Sequence, residues 1–170
     1  MFERSRTVQA DSLRLHPAEG LVYCRGEVFT GTSVTYYGNG HLASQIDFFN
    51  GKKHGFYRKW YEDGQISFES HYMAGRQDGM TCSWWRNGNK RSASTYRQGV
   101  PHGQQMQWYK SGAKFKIIHL ADGREEGLQQ AWRENGKLYN NYEARNGRTF
   151  GLKRANLCYA LEDESIQIED

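Results

Sequence analysis

Apolar and polar positions along the chain recur with a period far longer than the turn of a helix or the pleat of a strand. Aromatic residues stand at Tyr36, Trp60, Trp84, Trp108 and Trp132, each 24 residues after the last. The next position holds Tyr37, Tyr61, Trp85, Tyr109 and Arg133. A short polar triplet ending in glycine follows: GNG at 38–40, EDG at 62–64, RNG at 86–88, KSG at 110–112 and ENG at 134–136. Glycine after Asn, Asp or Ser takes positive φ at low cost, so these triplets predict tight hairpin turns. Beyond each turn comes a second run, for example Gln65 to Tyr72, in which Ile66, Phe68 and Tyr72 are predicted to share one strand face. A further glycine and a polar linker such as RQD or REE close the unit. Each unit therefore reads as a β-hairpin.

Glycine keeps the same beat. One column is Gly31, Gly55, Gly79, Gly103, Gly127 and Gly151, and two more run from Gly40 to Gly136 and from Gly51 to Gly147. Five complete units follow, 31–54, 55–78, 79–102, 103–126 and 127–150. The predicted fold is all-β: an elongated ribbon or solenoid of stacked hairpins with a 24-residue repeat. Residues 1–30 form an N-terminal segment with a degenerate capping repeat, 31–150 the array, and 151–170 a C-terminal cap and acidic tail. Residues 151–158 begin a sixth unit but place Asn156 where Trp belongs, and the tail after Ile166 is expected to be flexible. Ten strands at about 4.8 Å would make a ribbon of roughly 48 Å. A lone hairpin is marginal in water, so Tyr36, Trp60, Trp84, Trp108 and Trp132 are expected to stack into a structural ladder on an inner face. Trp85, one residue on, would then face outward.

The pattern G-x4-[WY]-[WY]-x-x-G, with an aromatic eight residues later and then G-x-x-x-G, resembles MORN-variant repeats. It reads best in 55–79, GFYRKWYEDGQISFESHYMAGRQDG. Residues 23–151 as a whole are similar to the bacterial YwqK family of antitoxins, above all in the entry segment GEVFTGTSVTYYGNGHLASQIDFFNGKKHG. The resemblance implies a non-catalytic protein with antitoxin or immunity action through protein binding. It also implies that some members carry envelope or lipoprotein leaders, and that related repeats bind membrane lipid. Arg133, Ala144 and Asn156 depart from the pattern, so the last units are expected to be less regular.

Composition narrows the function classes. Aromatic residues make up 14% of the chain despite a mean hydropathy of −0.90, which argues against disorder. No run of roughly 18 apolar residues offers a membrane span. Residues 31–150 hold 17 Lys and Arg against 10 Asp and Glu, while 159–170 hold five acids and no base. The bases are dispersed among acids, which reads as a solvated face and gives no expectation of nucleic-acid binding. Cys24, Cys82 and Cys158 are too far apart for a zinc knuckle or a disulfide framework.

No P-loop, GxSxG, HExxH or dinucleotide fingerprint occurs, so no enzyme activity and no cofactor are expected. His54 and His102 share a repeat position with Asp78 between them in register, and His71 and His119 form a second pair. Alternate units would lie roughly 19 Å apart, too far to share a metal ion. Carboxylates Glu62, Asp63, Asp122, Glu125, Glu126 and Glu134 gather at turns, where solvation makes poor catalysts.

The expected function is a repeat scaffold that binds a protein partner, with a toxin as the partner class. Exposed Tyr, Trp and Arg are the usual anchors, so the candidate binding residues are Tyr57, Tyr61, Trp85, Arg86, Tyr109 and Arg133. The alternatives are peripheral binding to anionic lipid, suggested by the basic excess, and a structural part of a cell-envelope assembly. MFERSRTVQADSLRL has no apolar h-region, so the expected location is cytoplasmic for a full-length chain and the envelope if a leader has been removed.

Overall fold

The computed structural model describes residues 6–152, 159–162 and 165–168. The repeat folds as an antiparallel meander. Its strands are β5 (Gly31–Tyr36), β6 (Leu42–Phe49), β7 (Lys52–Trp60), β8 (Ile66–Met73), β9 (Arg76–Trp84), β10 (Lys90–Arg97), β11 (Val100–Trp108), β12 (Lys114–Ala121), β14 (Gly127–Trp132), β15 (Leu138–Arg145) and β16 (Arg148–Leu152). They pair in that order, and the two-residue β13 (Arg124–Glu125) also pairs β12. Earlier in the chain, β1 (Thr7–Gln9) lies parallel to β5 at the other edge. The sheet stays open: its extensive contacts join only neighbouring strands, and it is one layer thick over the repeats.

Two kinds of turn alternate. At one edge the predicted triplets make three-residue loops closed by a positive-φ glycine. Gly40 N–H donates to Tyr37 O at 2.9 Å and Tyr37 N–H to His41 O at 2.8 Å, and the same pair of bonds recurs in the next four units. Asn39, Asp63, Asn87, Ser111 and Asn135 each accept from the backbone N–H two residues on. That bond is why an Asx or Ser sits there. At the opposite edge Asn50–Gly51, Ala74–Gly75, Gln98–Gly99, Asp122–Gly123 and Asn146–Gly147 all take positive φ, the signature of a two-residue type I′ hairpin. The RQD and REE segments expected as linkers instead begin strands, since Arg76–Asp78 open β9 and Arg124–Glu125 form β13.

Two bulges per unit complete the geometry. One sits just before the aromatic column: Lys59 opposes Phe68 and Trp60 opposes Ile66, leaving Ser67 unpaired. Ile66 therefore lies on the opposite face from Phe68 and Tyr72, not on the shared face that simple alternation predicts. The other bulge surrounds the first glycine of a unit. Around Gly55, three residues of β7 face Asp47 alone, and Asp47 Oδ2 accepts from Phe56 N–H at 3.2 Å. A Cβ at Gly55 would meet the Asp47 side chain at 3.2 Å, and the positive φ adds strain.

The N-terminal cap is a separate three-stranded sheet of β2 (Leu13–His16), β3 (Leu21–Cys24) and β4 (Glu27–Val28). Cys24, Phe29 and Phe48 are buried there, with Val8, Leu13, Val22 and Ile46 packed against them. Its Arg25–Gly26 turn takes positive φ at both residues, as the type I′ turns of the array do. At the other end, β17 (Tyr159–Glu162) pairs β18 (Ser165–Ile168). Gln167 and Ile168 are thus in a strand rather than a flexible tail, whereas Asn156 and residues 169–170 lie outside the described residues.

Candidate functional site

Opposed residues in a ladder share a face, so register assigns the two sides of the sheet. One face runs through Tyr57, Ser70, Thr81, Ser94, Gln105 and Ile118. The other runs through Arg58, Glu69, Cys82, Ala93, Met106 and Ile117. The first is much more crowded. Ser33, Ser70, Thr81, Gln105, Gln129 and Tyr142 are buried on it, and Ser70 is 0% exposed. Larger neighbours on the same face cover these residues, and at the first unit the N-terminal cap packs on Ile46 and Phe48 of that face. It is the inner face.

Trp60 and Trp84 follow Arg58 and Cys82 by two residues in regular strand, and Trp108 follows Met106 likewise. The tryptophan column is therefore on the outer face, opposite to the expected assignment. Its rings are half-buried, Tyr36 is 50% exposed, and among the described residues no ring contact joins one tryptophan to another. Units two strands apart are separated by roughly 10 Å, beyond the 4.5–7 Å of ring pairing, so a stacked ladder cannot form.

The column after it provides the link instead. Tyr37 Oη donates to Trp60 O at 2.7 Å, Tyr61 Oη to Trp84 O at 2.7 Å, Trp85 Nε1 to Trp108 O at 3.2 Å and Tyr109 Oη to Trp132 O at 3.0 Å. Each aromatic ties its turn to the unit that follows. The far edge has a matching series. Thr30 Oγ1, His54 Nδ1, Asp78 Oδ2, His102 Nδ1 and Glu126 Oε2 accept from the N–H of Asn50, Ala74, Gln98, Asp122 and Asn146, the positive-φ residues of the next turn. His54 and His102 share their repeat position because both cap a turn. Backbone N–H can only donate, so these contacts use Nδ1 as acceptor, and at His102 the same nitrogen also lies 3.4 Å from Asp122 Oδ1.

The candidate binding residues separate into two places. Tyr61, Trp85 and Tyr109 occupy the turn edge with Arg133 in the fifth place, half-buried and with the polar tips of the first three committed to carbonyls. Burial raises the Tyr109 hydroxyl above its ordinary pKa, with Tyr139 and Glu134 adding to it. Arg86 is exposed and its guanidinium lies 5.4 Å from the Tyr61 ring centre, while Arg91 lies 4.7 Å from that of Trp85.

Tyr57 stands apart, on the inner face. Its ring meets Phe68 edge-on at 5.4 Å and Tyr72 at 6.4 Å. Lys53 Nζ lies 5.0 Å from the Tyr57 ring centre and 5.1 Å from that of Tyr72, and Lys59 Nζ lies 5.3 Å from Tyr57. Burial is the main cause that raises the Tyr72 hydroxyl, Tyr57 and Tyr96 add to it, and Lys59 opposes it. The floor beside this cluster is lined by hydroxyl groups: Ser70 to Thr81 at 2.6 Å and Ser83 to Ser92 at 2.7 Å. Lys53, Lys59, Phe68 and Tyr72, which surround Tyr57, are not among the residues that sequence reasoning singles out. The alternation of Lys53, Tyr57 and Lys59 was readable in β7, but the two bulges hide which residues of β8 join them.

Residues 29–50 and 53–73 each match the family model of the MORN repeat variant. The first match spans the β5–β6 hairpin and the second the β7–β8 hairpin, where the aromatic-lysine cluster lies. No curated protein matches the chain.

Proposed function

We propose that this chain is a non-catalytic repeat scaffold that works by binding a protein partner, with a toxin as the partner class suggested by the antitoxin resemblance. One observation carries the reading. Hydrogen bonds at both turn edges lock each unit to the next, in a sheet whose faces, beyond the N-terminal cap on Ile46 and Phe48, are covered by no second layer among the described residues. Holding an extended surface in fixed register suits contact along its length. Tyr57, with Phe68, Tyr72, Lys53 and Lys59 around it, is the most concentrated group of anchors on that surface, and aromatic residues dominate binding energy at protein interfaces. Arg86 and Arg133 lie at the turn rim, where their contributions would be smaller.

The test is capture from the native host on immobilised protein, with a Tyr57→Ala, Tyr72→Ala variant alongside. A partner retained at physiological salt by the parent and lost by the variant supports the scaffold reading. Equal recovery on both places the contact elsewhere, and no specific partner on either removes the reading.

A further inference from the structure

Charge is divided unequally between the two faces. The outer face carries both signs: Asp47 accepts from Thr32 Oγ1 at 2.9 Å, and Glu69 pairs Arg58 at 2.6 Å. On the inner face, the one acidic residue opposed along the ladders from Gly31 to Ala121 is Glu125, across from Leu120 and bonded to Tyr142, while Lys53, Lys59 and Lys116 are all there. Among the described residues none of these three lysines has a carboxylate within 4.0 Å. Lys53 and Lys59 stand on either side of the Tyr57 ring, held by its π-face instead of by an acid.

We infer that the inner face where the first unit meets the second receives an extended acidic polypeptide segment, with Lys53 and Lys59 taking its carboxylates. This rests on the scaffold reading and gives its partner a chemistry. An extended chain directs alternate side chains to one side, so carboxylates from one row of the segment meet the lysines on either side of Tyr57. Each ammonium lies beside aromatic surface, 5.0 and 5.3 Å from the Tyr57 ring centre, and its three donors suit a carboxylate. The Tyr57, Phe68 and Tyr72 rings supply the apolar contact that lysines alone lack. A nucleic acid fits less well, because duplex binding commonly neutralises about 6–10 phosphates and the face offers three dispersed lysines. A membrane also fits less well, because anionic lipid favours clustered bases and these three lysines are dispersed along the face.

A labelled decapeptide of alternating Glu and Ala tests this by fluorescence anisotropy on the full chain. Its Lys–Ala counterpart, anionic vesicles and single-stranded DNA serve as competing probes. The acidic peptide is expected to bind, to weaken as salt rises, and to lose about tenfold or more in affinity in the Lys53→Gln, Lys59→Gln variant. Lys114→Gln, on the outer face, should leave it unchanged, and melting curves should coincide for all variants. Binding indifferent to Lys53 and Lys59 overturns the inference, as does equal binding of vesicles or DNA. If the acidic peptide fails to displace a captured host protein, the scaffold reading stands and this inference fails. If no host protein is captured, the scaffold reading fails while the peptide measurement still decides the chemistry of the face.

Discussion

Tyr142 is 5% exposed and donates its hydroxyl to Glu125 Oε2 at 2.8 Å. Burial foremost, then that hydrogen bond and the Glu125 charge, push its pKa from 10 up to about 12. The fold thus favours the neutral phenol, and the unfolded chain loses this proton first. Its contribution to stability is intact below pH 10 and falls as pH rises from there toward 12. Chemical denaturation across this range should show the Tyr142→Phe variant losing less stability than the parent. A second residue-scale prediction concerns the two adjacent tryptophans. Trp84 loses only half-buried surface on truncation, whereas Trp85 also loses its bond to Trp108 O and its contact with Arg91. Trp85→Ala should therefore cost at least as much as Trp84→Ala, about 2 kcal/mol, below the 3–5 of a fully buried aromatic. Urea melts of both variants decide it, and a clearly larger loss at Trp84 would return the inner face to the tryptophan column.

Among the elements, the hairpins were legible and their facing was not. Hairpin turns could be read from Asn-Gly, Asp-Gly and Ser-Gly pairs because the φ requirement acts locally. The bulge at Ser67 leaves no such mark, since an unpaired residue is defined by the partner strand, and so simple alternation puts Ile66 with Phe68. Burial misled in the same way: tryptophan signals a core only where a second layer exists to cover it. The shared position of His54, Asp78 and His102 was visible as a column, yet its purpose depends on a turn 20 residues away. If that purpose is acceptance from the turn N–H, chemistry matters more than ring or charge. His54→Ala should lower stability by about 0.5–1.5 kcal/mol, and His54→Asp, which copies the carboxylate of Asp78, should restore it. Thermal melts that show His54→Asp as weak as His54→Ala would count against the capping role.

At the scale of the whole molecule, repetition makes length adjustable. Deleting 79–102 joins Asp78 to Gly103 and preserves every column in register. Far-UV circular dichroism should show the shortened protein still folded as a β-sheet, with a lower melting temperature because one set of turn-to-turn bonds is gone. Deleting 12 residues instead would exchange one kind of turn for the other and should abolish folding. The meander has one more consequence, and it is mechanical. Backbone bonds between strands point along the ribbon, and its first and last paired strands lie at opposite edges of the sheet. Tension applied between those edges therefore loads the strand pairs one after another, as a zipper is opened, instead of shearing many bonds at once. Under an optical trap the array should yield at low force and lengthen in steps of one 24-residue unit, about 80 Å of released chain each. A scaffold of this form would hold its shape against thermal motion yet pay out under load, behaving as an extensible tether.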